Sequence, residues 1–206
     1  MFDRYRGSKS KTRRHRFDQV PVPQIPRSRF DRSHGHKTAL DAGFLVPIFV
    51  DEALPGDTFT CTTTLVGRVT TLLRPIMDNL YLQMHWFAVP YRLVWDNWEK
   101  FCGAQDNPGD STDFLIPQID VPAASGGWAE MSMGDYMGIP PKEDDFSHSA
   151  LPFRAMSLIY NEWFRDQNLI DSVTVHKDDG PDAIGDYPML KRAKPADYFT
   201  TALPFP

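Results

Sequence analysis

The chain has 206 residues, a length that suits one domain with a sizeable core, and 41% of the residues are hydrophobic. It has no apolar run of the roughly 18 residues that span a bilayer and does not open like a signal peptide, which disfavours a membrane protein. The net charge of −5 is uneven, because residues 1–37 hold 11 of the 22 basic residues and 3 of the 27 acidic ones.

Residues 1–37 are predicted to be a basic N-terminal arm and linker, disordered until a polyanion binds. The arm has too little apolar surface to offset the entropy cost of ordering. An acidic body with a basic arm is typical of proteins with nucleic-acid partners, although a solubilising or targeting tail has the same composition. Seven basic side chains are the candidate nucleic-acid contacts: Arg4, Arg6, Lys9, Lys11, Arg13, Arg14 and Arg16.

Residues 38–206 are predicted to form a mainly β domain with long loops and short helices. Apolar and polar residues alternate over residues 58–69, a pattern typical of a half-buried strand. The same period returns over residues 80–90, where both faces are largely apolar, so this strand is expected inside a sheet. Shorter strands are predicted at residues 45–50 and 172–175, and residues 116–128 are interpreted as a long surface excursion.

Three helical segments are predicted. Residues 93–101 have apolar side chains at helical spacing, including Trp98, and Ser132 and Asp135 begin a short capped helix. The clearest helix covers residues 149–169, with Pro152 in its first turn. One bulky stripe is expected on that helix, whereas Arg154 is expected on its polar side. The aromatic residues predicted to lie in the core or a subunit interface are Trp95, Trp98, Phe153, Tyr160, Trp163 and Phe164.

No pattern in the sequence indicates catalysis, a metal or a cofactor, so the protein is predicted not to be an enzyme. His34 and His36 have no nearby partners that would complete a metal site, and a loop role is favoured. The acidic turn at residues 178–182 could bind calcium, but its spacing differs from a calcium loop and favours a solvated turn. Cys61 and Cys102 are expected to be buried free thiols.

Several long segments resemble the major capsid protein of microviruses (Microviridae), in particular the gokushovirus branch. They include FDRSHGHKTALDAGFLVPIFVDEALPGDTF at residues 30–59 and LPFRAMSLIYNEWFRDQNLIDSV at residues 151–173. FAVPYRLVWDNWEKFCG at residues 87–103 and NPGDSTDFLIPQ at residues 107–118 are similar too, as is the ending DYFTTALPFP. These segments span nearly the whole chain, and their composition is unusual.

The resemblance implies a viral jelly-roll antiparallel β-sandwich that self-assembles into a T=1 icosahedral shell around circular single-stranded DNA. It implies a virion protein, assembled in the bacterial host cytoplasm with other phage structural or scaffolding proteins. Members of the family continue past this point, so the chain is expected to be an N-terminal fragment with an incomplete jelly roll in residues 38–206.

Two other classes of protein fit part of the sequence. A single-stranded nucleic-acid-binding protein would explain the arm, but it should also carry basic residues on its body, which is acidic. A carbohydrate-binding β-sandwich would use Trp95 and Trp98 as a sugar-stacking platform.

Overall fold

The computed structural model describes residues 26–195 and Tyr198, in a chain that divides into two units, residues 1–35 and 36–206. The described part of the first unit has no helix or strand and is exposed, with local hydrogen bonds such as that from Ser33 Oγ to Asp31 Oδ1 at 2.6 Å. The seven basic residues predicted to contact nucleic acid lie outside the described residues.

A three-stranded mixed sheet forms the centre of the second unit. Strand β1 (Gln118–Val121) lies between β2 (Phe146–Ser149), which is antiparallel to it, and β3 (Asp182–Ala183), which is parallel. Ile119 and Val121 are buried, whereas the residues between and before them are exposed, as the period of two in a strand requires. The surface excursion predicted for residues 116–128 was therefore wrong where β1 forms.

The helices are short except for one. A 3₁₀ turn (Tyr91–Leu93) precedes α1 (Trp98–Phe101), α2 is Met133–Tyr136, and a second 3₁₀ turn is Ile184–Asp186. Helix α3 (Leu151–Ile159) continues into a single π-helical turn (Tyr160–Phe164). The helix predicted over residues 149–169 is confirmed in its central part. It ends earlier because Arg165 has an extended backbone.

Two hydrophobic clusters each include residues of α3. The first joins β1 to α2 and α3 through Ile119, Met133 and Phe153, with the Trp128 ring stacked 5.1 Å from that of Phe153. The second is centred on Trp95, which packs with the buried side chains of Val94 and Leu151 and with half-buried neighbours. Helix α3 contributes to both clusters and therefore connects them. No helix in the described residues is long and apolar enough to cross a bilayer.

The strands predicted at residues 58–69 and 80–90 are absent from the described structure. Both segments are irregular and mostly exposed, and Val66 is 94% exposed. No backbone hydrogen bond joins residues 58–89 to another described residue. A strand exists only with a paired neighbour, and alternating sequence cannot supply that neighbour by itself. The jelly-roll sandwich thus stays a prediction. Of the predicted β structure, the described residues contain only the three-stranded sheet.

Two shorter predicted strands also differ. Residues 45–50 form no strand, and the nearest pairing is an isolated antiparallel bridge between Phe44 and Lys191, beside which Leu45 N donates to Leu190 O at 2.9 Å. At residues 172–175 the backbone of Val173 pairs with a side chain instead of a strand: the Asn161 amide accepts from Val173 N at 2.9 Å and donates to Val173 O at 2.7 Å. The asparagine satisfies the hydrogen bonds that a neighbouring strand would have provided.

The two cysteines are free thiols, as predicted, but both are exposed. Cys61 lies in the irregular segment of residues 58–69, which has no sheet around it, and Cys102 follows the last residue of α1. The prediction that they are buried was wrong, because it depended on a sheet and a helix face covering them.

Candidate functional site

Arg154 of α3 is fully buried and joins three chain segments: its own helix, the segment that contains Val94 and the acidic turn at residues 178–182. Its Nε donates to Asp182 Oδ2 at 2.7 Å and its Nη2 donates to Asp182 Oδ1 at 2.5 Å, a bidentate ion pair. Its Nη1 donates to the carbonyl oxygens of Val94 (3.2 Å) and Asp178 (2.7 Å), and Nη2 also reaches Asp178 Oδ1 at 3.1 Å. These five hydrogen bonds equal the number of N–H donors on a guanidinium group, so the buried charge is fully satisfied.

Asp182 keeps its negative charge in spite of its burial. Burial alone would raise the pKa of this carboxyl, but the hydrogen bonds from Arg154 and Tyr187 and the Arg154 charge outweigh it and lower the pKa. The Tyr187 hydroxyl donates to Asp182 Oδ2, and burial together with that hydrogen bond raises the pKa of Tyr187. Arg154, Asp182 and Tyr187 therefore form one buried network with fixed protonation states; we call it the Arg154 network.

The acidic turn at residues 178–182 is held against the segment that carries Trp95. Trp95 Nε1 donates to Asp179 Oδ1 at 2.7 Å, and Asn97 Nδ2 donates to both Asp179 oxygens at 3.0 Å. These hydrogen bonds lower the pKa of Asp179. The expectation of a solvated turn is confirmed for Asp178 and Asp179, which are exposed, but it was wrong for Asp182, which is buried against Arg154 of α3.

A cation other than Arg154 would have to compete for the same carboxylates. His176, Asp178 and Asp182 present ligand atoms within 4.8 Å of one another. Two of these residues already bind the Arg154 guanidinium, which supplies the positive charge that the carboxylates need. The residues that once suggested a calcium loop therefore serve a structural ion pair here.

An open apolar groove of about 380 Å³ lies beside this network. One wall is the end of α3 and the π-helical turn, with Leu158, Glu162 and Trp163, and another is the chain from Phe87 to Leu93. Lys177, the residue before the anchored acidic turn, completes the lining. The Arg154 network thus fixes the position of Lys177 relative to α3. A π-helical turn is often found at functional sites, and here it carries Glu162 and Trp163.

Aromatic rings continue from the groove along its edge. The Phe87 ring lies 5.9 Å from Trp163 and 5.7 Å from Phe164, and the His85 ring lies 5.3 Å from Phe164. The Arg192 guanidinium lies 5.7 Å from the Phe164 ring, within cation–π range. Large aromatic surface at the rim of an open groove is typical of protein interfaces.

The six aromatic residues predicted to be core or interface divide into three groups. Trp95, Phe153, Tyr160 and Phe164 are buried, Trp98 is half-buried, and Trp163 is 72% exposed. Trp95 has both its ring and its Nε1 engaged inside the protein, so it has no free face for a sugar. The geometry therefore disfavours Trp95 as part of a sugar-stacking platform. Of the six residues, Trp163 is the one that lies outside the core.

Sequence reasoning missed the Arg154 network and the two charged residues of the groove. Arg154 was expected on the polar side of its helix, and its partners lie 24 and 28 residues away. One signal pointed to it: Arg154 directly follows Phe153 in the most apolar helix of the chain. Glu162 and Lys177 carried no local signal, because only the folded chain places them on one groove.

Comparison with known proteins gives a consistent result. A model of the family described as capsid protein (F protein) matches residues 18–206. This chain is 54% identical over 197 residues to capsid protein VP1 of Bdellovibrio phage phiMH2K and 44% identical over 212 residues to that of Chlamydia phage 1. It is 34% identical over 210 residues to capsid protein VP1 of Spiroplasma virus 4.

These alignments cover this chain and the relatives unequally. They include 96%, 93% and 97% of this chain, but 37%, 35% and 38% of the three relatives in the same order. The chain therefore spans less than two fifths of the length of the curated relatives it matches.

Proposed function

This chain belongs to the capsid protein (F protein) family of phages, and we propose that it acts as a structural subunit of a T=1 icosahedral shell enclosing single-stranded DNA. The single observation that carries the proposal is the match over residues 18–206 to that family. A family of structural capsid proteins favours a non-enzymatic role. The protein resides in the virion and is assembled in the bacterial host cytoplasm, together with other phage structural or scaffolding proteins.

The strand-like sequence pattern of residues 58–69 and 80–90 supports a larger β structure in the assembled protein. Residues 58–69 and 80–90 alternate as strands do, yet their backbone groups have no backbone partner among the described residues, except that Pro90 O accepts from Leu93 N at 3.0 Å. Val66 and Tyr81 in these segments are exposed apolar side chains. We propose that residues 58–69 and 80–86 become jelly-roll strands when further backbone, from outside the described residues, pairs with them, while residues 87–90 keep their place beside the π-helical turn.

The basic arm is proposed to contact the packaged DNA. The folded part of the chain is acidic, so it repels a polyanion lying against the inner wall of a shell. Residues 4–16 carry the densest group of cations in the sequence, among glycine, serine and threonine residues. Each cation can reach a phosphate without a fixed register, and binding is therefore independent of DNA sequence.

The proposal is tested by expressing the coat protein from its own gene, with its phage partners, and imaging the sedimenting fraction by electron microscopy. Closed particles of uniform diameter that protect single-stranded DNA from nuclease are the expected result. Soluble protein without particles under all conditions in which the phage grows would overturn it.

A further inference from the structure

The groove beside the Arg154 network carries one charge of each sign. Glu162 lies on the π-helical turn and Lys177 precedes the acidic turn, and both side chains are exposed. Neither side chain forms a hydrogen bond or an ion pair within the part of the chain that the structure describes. The two charges line the same apolar groove without neutralising each other by direct contact.

The apolar side chains between these charges are also uncovered. Trp163 is 72% exposed, and Phe87 and Leu93 of the same groove are exposed as well. Tryptophan in such a position contributes a large share of binding energy when a partner covers it. An open apolar groove with a rim of unpaired charges has the anatomy of a protein interface.

We propose that this groove is a contact between two copies of the chain related by a twofold axis, with Glu162 of each copy facing Lys177 of the other. The inference rests on the proposed function, because a shell subunit must associate with copies of itself. In a twofold contact the same surface meets itself, so that a surface bearing one charge of each sign can satisfy both. The two Trp163 rings and their apolar neighbours are then covered at the centre.

The charges of the groove favour a second copy over a nucleic acid. Single-stranded DNA requires a surface that is positive along its length. Here the one ammonium group of Lys177 is balanced by the carboxylate of Glu162, so the groove offers a polyanion no net attraction. A second copy, by contrast, supplies the complementary charge for each side chain.

Charge reversal tests the contact in the coat protein expressed from its own gene. Glu162→Lys and Lys177→Glu are each expected to weaken self-association by about tenfold or more, because like charges then face each other. An equimolar mixture of the two variants should regain the wild-type affinity. In the mixed pair, the copy with two ammonium groups faces the copy with two carboxylates. The double variant Glu162→Lys/Lys177→Glu should also associate as the wild type does.

The readout is sedimentation analysis of the association constant at low salt, with Glu143→Lys as a control. Glu143 is exposed and does not line the groove, so its reversal should leave association unchanged. Wild-type association by either single variant overturns the contact, and so does a mixture that remains as weak as its components. If the mixed variants regain wild-type association but no variant or wild-type protein forms a shell, the contact is supported and the proposed shell is refuted. If both single variants still build shells, the shell is supported and the contact is refuted.

Discussion

The guanidinium of Arg154 and the carboxylate of Asp182 are joined by two parallel hydrogen bonds of 2.7 and 2.5 Å inside the protein. The side chains of both residues are almost completely buried. This pair connects the middle of α3 to the first residue of β3, across 28 positions of sequence. It fixes the helix that bears Glu162 and Trp163 against the turn that follows Lys177.

Replacing Arg154 by Met should destabilise the protein by about 3–5 kcal/mol, since it leaves the buried Asp182 charge without its partner. The double variant Arg154→Met/Asp182→Leu should lose less than the sum of the two single changes, because no unpaired charge remains. Chemical denaturation of the three variants gives the free energies of unfolding. The control is Lys142→Met, which removes only the exposed ion pair with Glu130 and should leave the transition unchanged. Equal stability of the Arg154→Met protein and the wild type would refute the structural role of the pair.

Replacing either of two aromatic residues of the same helical segment by Ala should change the stability of the subunit by very different amounts. Phe153→Ala empties part of the cluster around Trp128 and should cost about 3–5 kcal/mol of folding free energy. Trp163→Ala removes an exposed ring and should leave the thermal midpoint of the free subunit nearly unchanged. It should nevertheless reduce the yield of particles. A large loss of subunit stability from Trp163→Ala would show that the ring is buried in the free protein.

Acidification should weaken the core through His148. Trp128 Nε1 donates to His148 Nε2 at 3.0 Å, so that nitrogen must lack a proton, and the half-buried ring lies against Phe146 and Phe153. Burial lowers the pKa of His148 in the folded protein below its usual value, although its hydrogen bond with the Ser149 carbonyl opposes this shift. The unfolded chain therefore binds the proton more readily, and stability is present above a pH of about 6.5 and falls below it.

Denaturation midpoints measured across this pH range test the assignment. His148→Gln, which keeps an acceptor for Trp128 but does not titrate, should flatten the decline. His34→Gln changes an exposed histidine and should leave the decline as it is. A decline that is identical in the His148→Gln protein would place the responsible group elsewhere.

The sequence predicted those features of the fold that depend on neighbours along the chain. The helix around Phe153 and Tyr160 was predicted because bulky residues at helical spacing mark a buried face. The short helix after Ser132 was predicted as well, although its first turn is stabilised differently: Asp135 Oδ2 accepts from Met131 N at 2.8 Å, and Ser132 makes no side-chain cap.

Features that depend on distant partners were not predicted. A guanidinium can be buried only where carboxylates meet it, and nothing near Arg154 in sequence reveals Asp182. In the same way, β1 forms because β2 and β3 reach it from distant positions, and the first residue of β3 belongs to the segment interpreted as an acidic turn. Conversely, residues 58–69 have the strongest strand pattern in the chain and remain unpaired, since a pattern determines which face is apolar and not whether a partner is present.

The basic arm should bind single-stranded DNA with a strong dependence on salt. If the seven cations of residues 4–16 all engage, the logarithm of affinity should fall with the logarithm of salt concentration at a slope of about −5. Replacing Arg13, Arg14 and Arg16 by Ser should flatten that slope by about 2. Filter binding of a peptide of residues 1–37 over a salt series measures both values.

The same three replacements in the coat protein should lower the DNA content of particles without preventing assembly. The reason is that they change no residue of the described sheet, helices or groove. An affinity that is insensitive to salt, or variant particles with full genomes, would show that the arm is not the DNA contact.

The central claim is that this chain is the structural subunit of a phage shell, and a cryo-electron microscopy reconstruction of particles purified from infected cells tests it most directly. We expect icosahedral density of T=1 symmetry in which residues 87–187 can be traced, with Arg154 beside Asp182 in every subunit and Trp163 covered by a neighbouring copy. Particles whose shell density fits another protein, with this chain absent, would contradict it.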